Sequence, residues 1–102
     1  MPGMIARLNE ELENIGKRAQ AALEEGRLQV ELYRLRRKQN NAAGDLGKLV
    51  HGRERGREVA QARIDALLLQ LDDLEAAIEK VEKQMGAVKV EAETVEELRS
   101  ER

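Results

Sequence analysis

From Ala60 to Val95 the apolar side chains recur at alternating gaps of four and three residues: Ala60, Ile64, Leu67, Leu71, Leu74, Ile78, Val81, Met85, Val88, Ala92 and Val95. This is a heptad repeat with apolar a and d positions, held for about five heptads. A helix carrying such a stripe cannot stand alone in water, because other helices must cover the stripe. The pattern predicts a helix from about residue 57 to residue 98 inside a packed helical assembly.

A second pattern precedes it. Ile5, Leu8, Leu12, Ile15, Ala19 and Ala22 recur at gaps of three and four, and then Gly26 and Gln29 take the next positions. A register displaced by one residue resumes as Leu28, Leu32, Leu35, Gln39, Ala42, Leu46 and Leu49. A glycine costs roughly 1 kcal/mol against alanine in a helix, and a register slip changes the local supercoil. Two readings stay open: one helix over about 4–50 with a weak point at Gly26, or two helices broken there. Gly44, Gly47, Gly52 and Gly56 then cluster. Glycine tolerates the positive φ found just past a helix end, so the turn is expected at about 51–56. Met1-Pro2-Gly3 and Leu98 to Arg102 read as frayed ends. No alternation of period two is sustained and no solenoid repeat is present, so the chain is all-α. Two arms of similar length joined by a short turn predict a long antiparallel helical hairpin forming one domain over residues 1–102.

Charge supports that topology. Residues 1–26 carry a net −2, residues 27–63 a net +6 and residues 64–102 a net −6. A fold at residue 54 sets Arg34, Arg36, Arg37 and Lys38 near Asp72, Asp73, Glu75 and Glu79. At the open end Glu10, Glu11 and Glu13 would oppose Glu96 and Glu97, which splays the termini or calls for a basic partner.

Composition adds a reason to self-associate. Of 102 residues 37% are charged and 41% hydrophobic, with Tyr33 the single aromatic and no cysteine. Without aromatics to fill volume the core is a thin seam, and a thin seam in a small chain is marginally stable. Leu67, Leu68, Leu69 and Leu71 make the second helix wider in apolar surface than one partner helix covers. A homodimer through this zone, two hairpins forming a four-helix bundle or extended coiled coil, follows as the expectation. Ala19, Ala22, Ala42 and Ala43 would permit close helix approach, and Tyr33 would stand at an inter-chain edge or against the zone around Leu74. The predicted interaction seam is Ile64, Leu67, Leu68, Leu71, Leu74, Ile78, Val81, Met85 and Val88.

Candidate chemistry is sparse. Lys48, Arg53, Arg55 and Arg57, with His51 and Arg63 beside them, form a basic tip that could bind phosphate or nucleic acid. No aromatics are interleaved for base stacking, and Glu54 and Glu58 dilute the field, so a solvated turn is the simpler reading. His51 has no partner nucleophile and no companion ligands. Asp72, Asp73 and Glu75 diverge by about 100° per residue on a helix, and no glycine-bearing loop follows them, which argues against a calcium site. Neither metal nor cofactor is expected, and no nucleophile–base pair points to an enzyme. No apolar run approaches the roughly 20 residues that span a bilayer. With no apolar segment after Met1 to act as a signal peptide, a cytoplasmic location is the expectation.

The segments Ile15 to Ala22 (IGKRAQAA), Leu28 to Lys38 (LQVELYRLRRK) and Asp45 to His51 (DLGKLVH) carry a further signal. Over roughly residues 12–90 the chain resembles the helical leader of small bacterial proteins that place such a leader ahead of a C-terminal zinc ribbon. This chain has no cysteine for a ribbon, and His51 stands where that pattern has tyrosine. The resemblance implies a bacterial helical module and supplies no activity.

The function that follows is a non-enzymatic coiled-coil scaffold or protein–protein interaction module that self-associates, with a protein partner of unspecified identity. The first alternative is a nucleic-acid-binding module using the basic tip. A peripheral membrane or stress scaffold is a second, disfavoured by Glu10, Glu11, Glu13, Glu24 and Glu25 on the first helix. A prefoldin-like holdase is a third, disfavoured by the charged tip and the lack of any β segment.

Overall fold

A computed structural model describes residues 2–100, apart from the side chains of Pro2, Ala92, Val95, Arg99 and Ser100. Two helices account for nearly all of it: α1 over Pro2–Glu54 and α2 over Gln61–Ser100. No strand occurs among the described residues. The helix α1 is unbroken at Gly26, and no described residue near it departs from helical backbone. The open choice between one first helix and two is thereby settled in favour of one.

The connection differs from the expected turn in extent. Helix α1 runs on through His51 and Gly52 to Glu54, and α2 begins at Gln61 rather than near residue 57. The cause is the capping chemistry. Among the described residues Gly56 alone adopts positive φ, at 84°. Its N–H donates to the Arg53 carbonyl at 3.0 Å, and the Arg57 N–H donates to the Gly52 carbonyl at 2.9 Å. Those two bonds are the Schellman pattern, which satisfies the last carbonyls of a helix when glycine sits just past its end. Gly52 is buried and helical, and a Cβ placed there would meet the Arg57 Cδ at 3.5 Å. So Gly56 stops the helix, while a side chain at Gly52 would sit in ordinary van der Waals contact with the arginine that follows. At the far side of the connection the Ala60 carbonyl accepts from the Arg63 N–H at 3.1 Å and the Ile64 N–H at 3.4 Å, which opens α2.

The chain divides into two compact units. One joins residues up to Gln29 with residues from Lys83 onward, and the other is Val30–Glu82.

The Val30–Glu82 unit is a helical hairpin. On α2 its buried side chains are Ile64, Leu67, Leu74, Ile78 and Val81, with Leu71 half-buried. On α1 Ala42 is buried, and Leu32, Leu35, Gln39, Leu46, Leu49 and Val50 are half-buried. Apart from Val50, both sets keep the gaps of three and four that place side chains on one helical face. Each buried Leu, Ile or Val contributes about 1.5–3 kcal/mol relative to exposure, so this seam is the main source of stability in the unit. Pairing is shifted from the expected one. Arg36 Nη2 meets Glu82 Oε1 at 3.1 Å, further along α2 than the predicted Asp72 to Glu79. The shift follows from the connection, since residues 55–60 are spent before α2 starts.

The other unit is less apolar where its helices meet. On α1 the least exposed positions are Asn14, Arg18, Ala21, Glu24, Glu25 and Leu28, and of these only Leu28 is buried. On α2 Met85 and Val88 are half-buried. The seam positions Ala92 and Val95 lie outside the described side chains. Arg18 forms an ion pair with Glu96, and its Nε is buried without a hydrogen-bond partner. The expected facing of Glu96 by like charge is therefore corrected: Arg18 reaches it from the neighbouring helix.

Two sets of substitutions check this account by denaturant midpoint. Gly56→Ala should cost about 1–2 kcal/mol, the penalty of left-handed backbone for an L-residue. Gly47→Ala should instead gain about 0.5–1 kcal/mol, because the site is helical and an added Cβ meets nothing within 4 Å. In the seam, Leu74→Ala should cost about 2–5 kcal/mol. Leu69→Ala, at a position 62% exposed, should stay within about 0.5 kcal/mol of the parent.

Candidate functional site

Three surfaces could engage a partner: the tip, the leucine-rich flank of α2 and the outer face of the first part of α1.

At the tip, Lys48, His51, Arg53, Arg55, Arg57 and Arg63 are all exposed. Arg53 and Arg57, however, help to build the connection. Arg53 Nη1 donates to Gln61 Oε1 at 3.3 Å, and Gln61 Nε2 donates to Asp65 Oδ1 at 3.0 Å. This bridge ties the end of α1 to the first turn of α2. Arg57 supplies the capping N–H and lies over Gly52. Of the four cations predicted to hold an anion, Lys48 and Arg55 are left with no such task in the turn. The Arg53–Gln61–Asp65 bridge was not legible in advance, because its register depends on where α1 stops.

On α2 the predicted interaction residues fall into two groups. Ile64, Leu67, Leu74, Ile78 and Val81 are buried within the chain, and Leu71, Met85 and Val88 are half-buried. Leu68 is 46% exposed and belongs to the flank, with Leu69 beside it. Val30 and Tyr33 on α1 are likewise exposed. In this unit the apolar surface left uncovered is therefore Leu68, Leu69, Val30 and Tyr33.

The largest departure from the sequence pattern lies on the first part of α1. Ile5, Leu8, Leu12 and Ile15 are 63%, 62%, 60% and 53% exposed, and Ala19 and Ala22 are exposed with them. The stripe that reads as a seam is turned away from α2. The positions turned inward are Asn14, Arg18, Ala21, Glu25 and Leu28, again spaced by four and three. They belong to the register of Leu28 extended backward. A slip at Gly26 would have brought the Ile5 stripe inward, but an unbroken helix keeps its phase.

Within this unit a shallow cleft of about 240 Å³ is lined by Lys17, Gln20, Ala21, Glu24, Val88 and Glu91. Its lining mixes charge of both signs with small apolar surface. Glu24 accepts two bonds from the Arg27 guanidinium, at 2.5 and 3.2 Å. That hydrogen bonding lowers the Glu24 carboxyl from its ordinary value, with desolvation opposing it and the Arg27 charge adding to it. Among the described residues no three His, Asp or Glu side chains gather to hold a metal. None of the described helices is long and apolar enough to cross a membrane. No protein-family model, curated protein or solved structure matches the chain.

Proposed function

We propose that the chain is a non-enzymatic helical scaffold or protein–protein interaction module that works by self-association. One observation carries this reading: the hairpin leaves large apolar side chains uncovered at regular helical spacing. Ile5, Leu8, Leu12 and Ile15 in one unit are solvated at that spacing, and Leu68 and Leu69 in the other unit are solvated as neighbours in sequence only. Isolated exposed apolar residues are ordinary, but a contiguous stripe marks a surface meant for another molecule. A two-helix seam without aromatics also leaves a small stability margin, which a second chain would raise by mass action. A dimer of hairpins forming a four-helix bundle is the simplest assembly consistent with these surfaces. The basic tip serves solubility and the geometry of the connection in this reading, because Arg53 and Arg57 are already engaged there.

Sedimentation of the chain at low and high salt, with a short DNA duplex in a parallel cell, tests the proposal. A dimer that persists at high salt and ignores DNA is the expected result. A monomer that co-sediments with DNA only at low salt would transfer the function to the tip. Arg53, Arg55 and Arg57 changed together to Glu should leave the dimer intact.

A further inference from the structure

We infer that a second copy of this chain covers the Ile5–Ala22 stripe, running antiparallel to the first. The inference rests on the self-association reading above and adds to it a surface and a direction.

The stripe cannot be satisfied within its own unit. Successive helical residues turn by about 100°, which puts the Ile5, Leu8, Leu12, Ile15 face about 130° around α1 from the Asn14, Arg18, Ala21, Glu25 face. The second face is the one turned toward α2, so α2 lies out of reach of the first. Met4 and Leu23, 68% and 76% exposed, widen the stripe near its two ends.

Self-pairing is favoured by the order of side-chain sizes along the stripe. Ile5, Leu12 and Ala19 take a positions, and Leu8, Ile15 and Ala22 take d positions. The large residues lie at the N-terminal end and the small ones at the C-terminal end. A parallel pair would stack like on like, leaving thin Ala19 and Ala22 layers at one end. An antiparallel pair sets Ile5 against Ala22, Leu8 against Ala19 and Leu12 against Ile15. Every layer then holds at least one large side chain, and knobs-into-holes packing is even along the contact.

Charge selects the same direction. Glu11 and Arg18 flank the stripe on one side at g positions, while the e positions on the other side are Asn9, Gly16 and Leu23. A parallel pair brings g against e, and no charge meets another. An antiparallel pair brings g against g, so Glu11 of each copy faces Arg18 of the other. The two-fold axis gives this ion pair twice. Arg18 already reaches Glu96 within its own chain, and a guanidinium has five donors, enough to serve both carboxylates. Exposed pairs of this kind contribute little affinity and mainly set orientation. Lipid is a poorer occupant, since Glu10, Glu11 and Glu13 lie on the same stretch of helix.

Because the chain has no cysteine, single cysteines report the contact cleanly. Leu8→Cys and Ala19→Cys variants are made separately, mixed and oxidised, and the links are read by peptide mass. A link between position 8 of one copy and position 19 of the other is expected. Links of 8 to 8 and 19 to 19 would overturn the direction. A dimer with neither link would overturn the surface while leaving self-association standing, and a monomer would overturn both. Leu12→Asp should abolish the dimer while circular dichroism stays helical, since the position is exposed in the single chain. Glu11→Arg should weaken the dimer about tenfold by setting like charges together, and adding Arg18→Glu should restore it. The second change removes the Arg18–Glu96 pair, so recovery reports the contact between copies. Failure of the double variant to recover would count against the antiparallel register.

Discussion

A helix can turn only one stripe toward a single partner helix. In the Val30–Glu82 unit that limit costs nothing, because α1 and α2 each carry one apolar stripe and the two meet. Ile64, Leu67, Leu74, Ile78 and Val81 are buried there against a chain with almost no aromatic volume. In the other unit α1 carries two stripes with the same spacing, one apolar and one polar, and the polar one is turned inward. The consequences run through the rest of the unit: Arg18 and Glu25 lie in seam positions, Val88 and Met85 are only half-covered, and Ile5, Leu8, Leu12 and Ile15 face water, as do Leu23, Val90 and Leu98.

Local stability should follow the same division. A unit held by a nearly continuous aliphatic seam opens at a higher free energy than one in which, among the described side chains, a single leucine is buried. The less stable unit is also the one with the uncovered stripe. Recruiting a second chain there would add apolar burial where the single chain has least of it. This is a common physical logic for small helical proteins, in which assembly supplies the core that length alone cannot.

Much of the architecture is legible in the sequence, and the reasons are specific. The α2 heptads run without a missed step, so both the helix and its buried face can be read directly. The glycine cluster marks the connection, although pattern alone does not say which glycine ends the helix. Gly56 does so because it takes positive φ and completes the Schellman bonds, whereas Gly52 stays helical. The facing of the first part of α1 is not legible from spacing, since Ile5–Ala22 and Asn14–Leu28 both step by three and four. Hydrophobicity favours the first stripe, but backbone continuity from Leu28 selects the second. A slip would need a break at Gly26, and the helix has none. The Arg36–Glu82 pairing was displaced from expectation for a related reason, namely six connecting residues that a fold at residue 54 does not allow for.

The most direct measurement of the central claim is amide hydrogen exchange as a function of protein concentration. The account predicts strong protection at Val30–Glu54 and Ile64–Glu82 at every concentration. It predicts weak protection over Met4–Leu23 in dilute solution, rising as concentration rises. Protection over Met4–Leu23 that is strong and independent of concentration would contradict it, because the stripe would then be covered within a single chain.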